Sequence, residues 1–391
     1  MKKSLIAVAV AGLFAAPAAM ADVTISGAIA TGLLYGKSSG GGANDVTRTS
    51  LASNYSHVDI ESVDDIGNGN KVVFHLQLQV NIQDATPGAN PFNRNSFLGI
   101  VGNWGGFKYG TNENVYERMQ YSSDFLDGAL GPGGNLMILS NPGVGTAFDA
   151  GQSGCGPNAT SNCAGFYRRT DHTIWYESPN WNGFSFEVDY TLSAYKTPGS
   201  DPKVLSIGGK YAPEGMPFFV DVAYETHDDF GGINQIGANK GAATGAYTST
   251  DDTGIQIGGG YTFGDWQFNA RWERLTYEGS TALVGSLTEW ERDAFWLGVK
   301  WNLPTGYAAV QYGWADEADC TAVGGACTAP DTGADHIGIG YFHNLSKQSQ
   351  IQVIYNQTSN DANASYLAVG GTNVVNGADH KGLYVGIKHT F

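Results

Sequence analysis

The sequence predicts an all-β fold: a 16-stranded antiparallel transmembrane β-barrel, with short turns at one end, long loops at the other and a long third loop folded into the lumen. Three observations carry that expectation. Apolar side chains recur with a period of two, sixteen such segments follow one another, and the connections between them alternate short and long. Neighbouring side chains of a strand point to opposite faces. A segment such as Val72-Val-Phe74-His-Leu76-Gln-Leu78-Gln-Val80 therefore has one apolar and one polar face. Helical windows of 11 residues or more are almost absent.

The elements can be justified in chain order. Lys2 and Lys3, the apolar stretch from Leu5 to Ala16, and the small-x-small site Ala19-Met20-Ala21 read as a cleaved signal peptide over residues 1–21. Residues 22–391 are then one barrel domain, and loss of the two lysines takes the net charge from −16 to −18. Export also makes disulfides permissible. Strands are expected over 22–35, 54–62, 70–83, 94–102, 106–113, 170–178, 183–195 and 203–212. The second half supplies 217–227, 252–263, 265–277, 289–302, 305–315, 335–344, 348–358 and 380–391. Short turns at 64–69, 103–105, 179–182, 213–216, 264, 303–304 and 345–347 alternate with loops at 36–53, 84–93, 114–169, 196–202, 228–251, 278–288, 316–334 and 359–379. In an up-and-down sheet every second connection lies at the same end, so one end is trimmed and the other elaborated.

Composition removes several classes. With 55 glycines in 391 residues but no period of three, the chain is not collagen-like, and 47 aromatic residues exclude disorder. A net charge of −16 argues against a nucleic-acid partner, which needs clustered Lys and Arg. After the N-terminus no 18-residue apolar run could span a membrane as a helix. A spanning sheet remains possible, because a bilayer offers no water to unpaired backbone groups and the sheet must close on itself. An even strand number, alternation over about ten residues and asymmetric ends are its signature. Trp104, Trp181, Phe184, Phe218, Trp266 and Trp301 cluster beside the short turns, where a periplasmic aromatic girdle belongs.

Several motifs carry a family resemblance. Asp64-Asp-Ile-Gly-Asn-Gly-Asn-Lys71, Tyr176-Glu-Ser-Pro-Asn-Trp-Asn-Gly-Phe-Ser-Phe186, Asn93-Arg-Asn-Ser-Phe-Leu-Gly99 and the start Asp22-Val-Thr-Ile-Ser-Gly27 occur in the family's order. The last strand, Gly382-Leu-Tyr-Val-Gly-Ile-Lys-His-Thr-Phe391, ends on an aromatic residue that resembles the signal read by the outer-membrane assembly machinery. Together they resemble the general diffusion porins of Gram-negative bacteria, in their β-proteobacterial branch, over the whole mature chain. The resemblance implies an outer-membrane homotrimer in which each barrel has its own aqueous channel for small hydrophilic solutes, narrowed by the third loop. Loop 114–169 is about twice as long as any other, and a sixteen-stranded barrel leaves room for it.

The constriction is expected to take acids from Glu117, Asp124 and Asp127 and bases from Arg94, Lys108, Arg168, Arg169 and Arg271. Where the family is often basic, this chain carries His57, Glu61, Thr111, Trp175 and Thr390. The polar strand faces hold nine acids (Asp59, Glu61, Asp171, Glu177, Glu187, Asp189, Asp221, Glu225, Glu273) and seven bases (Lys108, Arg169, Lys210, Arg271, Arg292, Lys300, Lys388). With acidic outer loops added, a weak cation preference follows, fading as salt rises. A solute-specific channel and an adhesin or receptor barrel with a plugged lumen are the rival readings.

Other chemistry is weak. In Asp171-His172, Asp335-His336 and Asp379-His380 the paired side chains sit on opposite faces of a strand and cannot form a dyad. No G-x-S-x-G elbow is present, so no enzyme and no cofactor are expected. Cys155/Cys163 and Cys320/Cys327 lack the spacing of metal knuckles; each pair is expected to close a short disulfide loop. Asp clusters at 228–229, 251–252 and 316–319 are solvated loop charge, with cation-bridged contact to lipopolysaccharide as a further reading.

Overall fold

The computed structural model describes residues 22–41, 45–82, 94–126, 133–143, 155–158, 163–366 and 375–391. The leader at 1–21 and Asp127 lie outside them. Strand segments β1 Asp22–Gly40, β2 Val46–Ser53, β3 His57–Gly67, β4 Asn70–Gln79, β5 Ser96–Gly102, β6 Gly105–Glu113, β7 Arg169–Glu177, β8 Phe184–Thr191 and β9 Lys203–Tyr211 form the first half. The second half holds β10 Phe218–Asp228, β11 Ser249–Phe263, β12 Trp266–Ser280, β13 Leu287–Leu303, β14 Gly306–Ala315, β15 Asp319–Ala322, β16 Ala334–Asn344, β17 Ser349–Asn360 and β18 Ala378–Thr390.

These segments make a closed barrel of sixteen strands, because two strands are interrupted. β2 and β3 both pair with β1, and β14 and β15 both pair with β13. At the first break the Ser56 hydroxyl bonds both the N–H and the carbonyl of Ala30, each at 2.9 Å, standing in for the missing ladder. All pairings are antiparallel. Closure comes from β18 lying along β1 from Ala28↔Thr390 to Gly40↔Ala378. Phe391 and Gly27 then exchange two backbone bonds of 3.1 Å. No sheet edge is left to bare hydrocarbon.

The two faces separate as the alternation requires. Val23, Ile25, Leu98, Ile100, Val220, Val222, Leu297, Val310 and Val385 all stand exposed on the outside. That much contiguous apolar surface suits lipid and not water. Trp104, Trp181, Phe184, Trp266 and Trp301 are exposed at the short-turn end, with Trp266 stacked on Trp301 at 5.4 Å. One of those turns is Asn68-Gly69, with φ of 55° and 75°, the two positive values that a tight type I′ hairpin demands.

The sixteen expected strands are all found; several run further than expected at the loop end, while those expected over 70–83, 94–102 and 183–195 stop short there, at Gln79, Ser96 and Thr191. β1 continues to Gly40 against β2, where a loop was expected over 36–53, and β15 lies inside 316–334. Above the lipid-facing band Lys37-Ser38-Ser39 and Thr47-Arg48-Thr49-Ser50 are polar on both faces. Backbone pairing therefore continues where the alternation signal has stopped. Two short helices also fall within expected loops: α1 Val115–Gln120 and α2 Gly232–Asn239.

Candidate functional site

The loop between β6 and β7 enters the lumen at once. Asn114 caps α1 by accepting from the Glu117 N–H at 2.8 Å. Val115 packs over Gly208, where an added Cβ would lie 2.6 Å from its methyl, and Leu126 packs over Gly338 at 2.5 Å in the same sense. Glycines on the inner wall thus admit the loop's apolar side chains.

Buried polar groups on successive strands then fasten it. Gln256 donates to the Tyr116 carbonyl at 2.5 Å, and the Arg271 guanidinium donates to the Met119 carbonyl, to Ser122 and to Ser123. Glu273 accepts from the Ser140 N–H at 2.8 Å, from Tyr116 Oη at 2.9 Å and from Gln120 at 3.1 Å. Arg292 pairs with Glu273 at 2.8 Å and donates to the carbonyls of Asn141 and Ile138. Trp296 reaches the Ser123 carbonyl at 3.0 Å, and Gln311 accepts from the Phe125 N–H at 2.6 Å. Each loop backbone group so held would be costly to bury unpaired.

This placement changes the expected constriction. Arg271 is sealed under the loop, paired with Asp221 at 2.7 Å, instead of facing the channel. Arg168 is equally buried, donating to the carbonyls of Cys163 and Gly165 with its guanidinium over the Phe230 ring. Glu117 is fully buried, accepts from Tyr121 Oη, and is pushed up to about 8 by burial and by the neighbouring Glu113 carboxylate. Asp124 is turned to the wall, accepting from Gln311 at 3.0 Å and from the Leu126 N–H at 2.8 Å. The nine-to-seven tally likewise includes groups hidden from the channel, since Asp221, Glu225, Glu273 and Arg292 are buried.

On the remaining wall Lys108, Arg118, Arg169, Glu177 and Glu187 reach water, whereas Arg94, Glu113 and Asp189 are buried behind them. Lys108 pairs with Glu177 at 2.7 Å, and Arg118 on α1 pairs with Glu187 at 2.5 Å and Asp189 at 3.4 Å. Arg169 and Arg94 both face Glu113, and Arg94 donates to Gln77 at 3.0 Å. Gln77 in turn donates to Asp59 at 2.9 Å. Asp59 lies 2.9 Å from His75 Nε2 and 3.2 Å from His57 Nε2. Of these residues the sequence reading missed His75, Gln77 and Glu113; for His75 register was the available signal, since it stands opposite Glu61 across β3 and β4. The latch residues Glu273 and Arg292 appeared there only as lumenal charges.

The four cysteines and two of the three Asp-His pairs have definite partners. Cys155 joins Cys163 and Cys320 joins Cys327. Among the described residues no cluster of His, Cys, Asp or Glu is suited to a metal ion. In Asp335-His336 and Asp379-His380 the two side chains have separate partners: Tyr312 and Thr358 in one, the Asn360 N–H and Ser38 in the other.

A lipid-facing closed barrel whose lumen is narrowed by a latched inner loop is a transmembrane channel of the outer membrane. The chain belongs to the Gram-negative porin family, whose pattern matches residues 7–363. It is 25% identical over 398 residues to outer membrane porin protein 32 of Delftia acidovorans, covering 100% of both chains. To the major outer membrane protein P.IB of Neisseria gonorrhoeae it is 28% identical over 231 residues, which is 57% of this chain and 56% of that one. In structure it resembles an anion-selective porin from Comamonas acidovorans with a TM-score of 0.70 at 20% identity, covering 95% of this chain and 100% of the other. A trimer form of OmpT from Vibrio cholerae gives 0.60 at 12% identity, covering 95% and 99%.

Proposed function

We propose that this porin is a passive diffusion channel for small hydrophilic solutes and ions, working without catalytic chemistry or cofactor. The observation that carries the reading is the one-sided packing of the third loop. It is latched to the wall from β9 to β17, while Glu61 and Glu177 on the facing wall keep 49% and 37% of their side chains in water. A sugar-specific track needs exposed lumenal ring faces, and the inward Trp175, Trp290 and Trp296 are buried. A plugged receptor barrel would bury the facing wall as well. Single-channel recording tests the reading: open, unsaturated current steps support it, and a silent bilayer refutes it.

The constriction is proposed to lie between the loop edge, carrying Arg118, and the wall set of Lys108, Arg169 and Glu177, with the buried Glu113 and Arg94 holding Arg169 from behind. Selectivity is proposed to be weakly cationic at neutral pH and low salt, because solvated Glu61, Glu177 and Glu187 lie beside the channel and acidic loops surround its mouth. The anion-selective porin from Comamonas acidovorans, which this barrel resembles, makes the sign of this preference a direct question for measurement.

The unit is proposed to be a homotrimer, which the Vibrio cholerae trimer form supports, of chains matured by removal of residues 1–21 and inserted through recognition of the terminal Phe391. Glu278 and Glu289 face each other across β12 and β13 at the loop end. Like charges so placed repel, which favours divalent-cation bridging to lipopolysaccharide there.

A further inference from the structure

We infer that His57 and His75 form a titratable selectivity element on the lumen wall, which turns the channel from cation-favouring to anion-favouring as pH falls. The inference rests on the channel reading above and adds to it which residues decide the ion preference and when.

The geometry is a pair of imidazoles sharing one carboxylate. His57 and Asp59 lie on the lumenal face of β3, and His75 lies beside them on β4. Asp59 places one oxygen 3.2 Å from His57 Nε2 and the other 2.9 Å from His75 Nε2. His75 also lies 3.8 Å from Glu61. Both imidazoles are held in place, His57 by the Tyr55 carbonyl and ring, His75 by an edge contact with Phe97 at 5.3 Å. Each keeps about a seventh of its surface in lumenal water, at 14% and 16%, so protons and ions reach them.

The local charge balance gives the pair its leverage. Charged groups bearing on it from the adjoining elements are Asp59 and Glu61 on β3, Glu113 on β6, Arg169 on β7, and Arg94, which reaches the pair through Gln77 and lies over the Tyr55 ring. Lys108 sits beyond Phe97 and is matched by Glu177. Glu117 beside Glu113 is pushed up to about 8 and stays protonated over most of the range in which histidine titrates, so with neutral imidazoles three carboxylates against two guanidiniums leave the patch with one net negative charge. Two protonated imidazoles leave it with one net positive charge. Histidine is the side chain whose ordinary protonation range falls between pH 5 and 8, and proton gain at this pair is what reverses the sign of the patch. Arginine in either place would fix the sign.

The test is a reversal-potential measurement on the intact protein in a planar bilayer, under a KCl gradient kept near 0.01 M, where the Debye length is about 30 Å. Between pH 8 and pH 5 the cation-to-anion permeability ratio of the wild type should fall by at least about threefold, as expected for two unit charges within several ångströms of the ion path. His57→Gln with His75→Gln should hold the ratio steady over the same range. His75→Arg should keep it low at both pH values. Current steps with a ratio independent of pH in the wild type would overturn the inference alone. A pH response that persists in the double variant would also overturn it and assign the effect to carboxylates. Absence of current steps in the wild type would overturn the channel reading and the inference together.

Discussion

Replacing Glu273 by alanine removes the carboxylate on which the docking of the third loop converges. Its two oxygens take the Ser140 N–H, the Gln120 amide and the Tyr116 hydroxyl from the loop, and they neutralise Arg292, which itself holds the Asn141 and Ile138 carbonyls. Stranding a buried Arg292 costs about 3–5 kcal/mol. Each orphaned donor adds about 1–3 kcal/mol where water cannot reach it. Because the groups share one acceptor the losses are not additive, and about 5 kcal/mol is a reasonable total. At about 1.4 kcal/mol per decade, that moves the docked-to-undocked balance by more than a thousandfold. Glu273→Ala should therefore give larger, noisier single-channel currents, while the sixteen-stranded barrel stays assembled in outer-membrane fractions. Glu273→Met combined with Arg292→Met removes the stranded charge and should be less disruptive than Glu273→Met alone. Wild-type conductance, noise and thermal unfolding in Glu273→Ala would refute the latch.

Three further predictions follow from the same contacts. Glu117 is pushed up to about 8, from about 4.3 in an unfolded chain, so between those values the folded loop keeps a proton that the unfolded chain has lost. Loop docking should weaken as pH rises through that window, and Glu117→Gln should flatten the response of channel noise to pH. Leucine at Gly338 meets Leu126 at 2.5 Å and should expel the loop tip, raising conductance; an unchanged channel would show that the tip packs elsewhere. Cys320→Ser with Cys327→Ser opens a loop closed across a separation of 7 residues, worth about 2.5 kcal/mol in the chain-entropy account. Protease should cut that loop faster and the unfolding temperature should fall slightly, while the sixteen-stranded barrel still assembles.

The barrel was legible in the sequence because lipid on one side and water on the other force a strict period of two, as in Phe184-Ser-Phe186-Glu-Val188-Asp-Tyr190. The extra height of β1 and β2 was not, since strands in water on both sides carry no such pattern. The third loop announced itself by length, but the destination of its charges did not. Arg271 and Lys210 are both lumen-facing bases in the sequence, yet one lies under α1 and the other does not. Only the packing of loop against wall separates charges that hold the loop from charges that an ion meets. His75 passed unnoticed for a related reason. A lone histidine on a polar face carries no signal until register sets it beside Asp59 and Glu61.

The most direct test of the account is a single-channel recording of the purified wild type at pH 8, with conductance followed from low to molar salt. The account predicts discrete steps whose size rises nearly in proportion to salt, no saturation by any one solute, and a weak cation preference that fades as the Debye length shrinks. A silent bilayer would contradict the open lumen. Strong anion preference at pH 8 and low salt would contradict the charge assignment, placing Arg118, Arg169 and Lys108 in control of the ion path against the carboxylates paired with them.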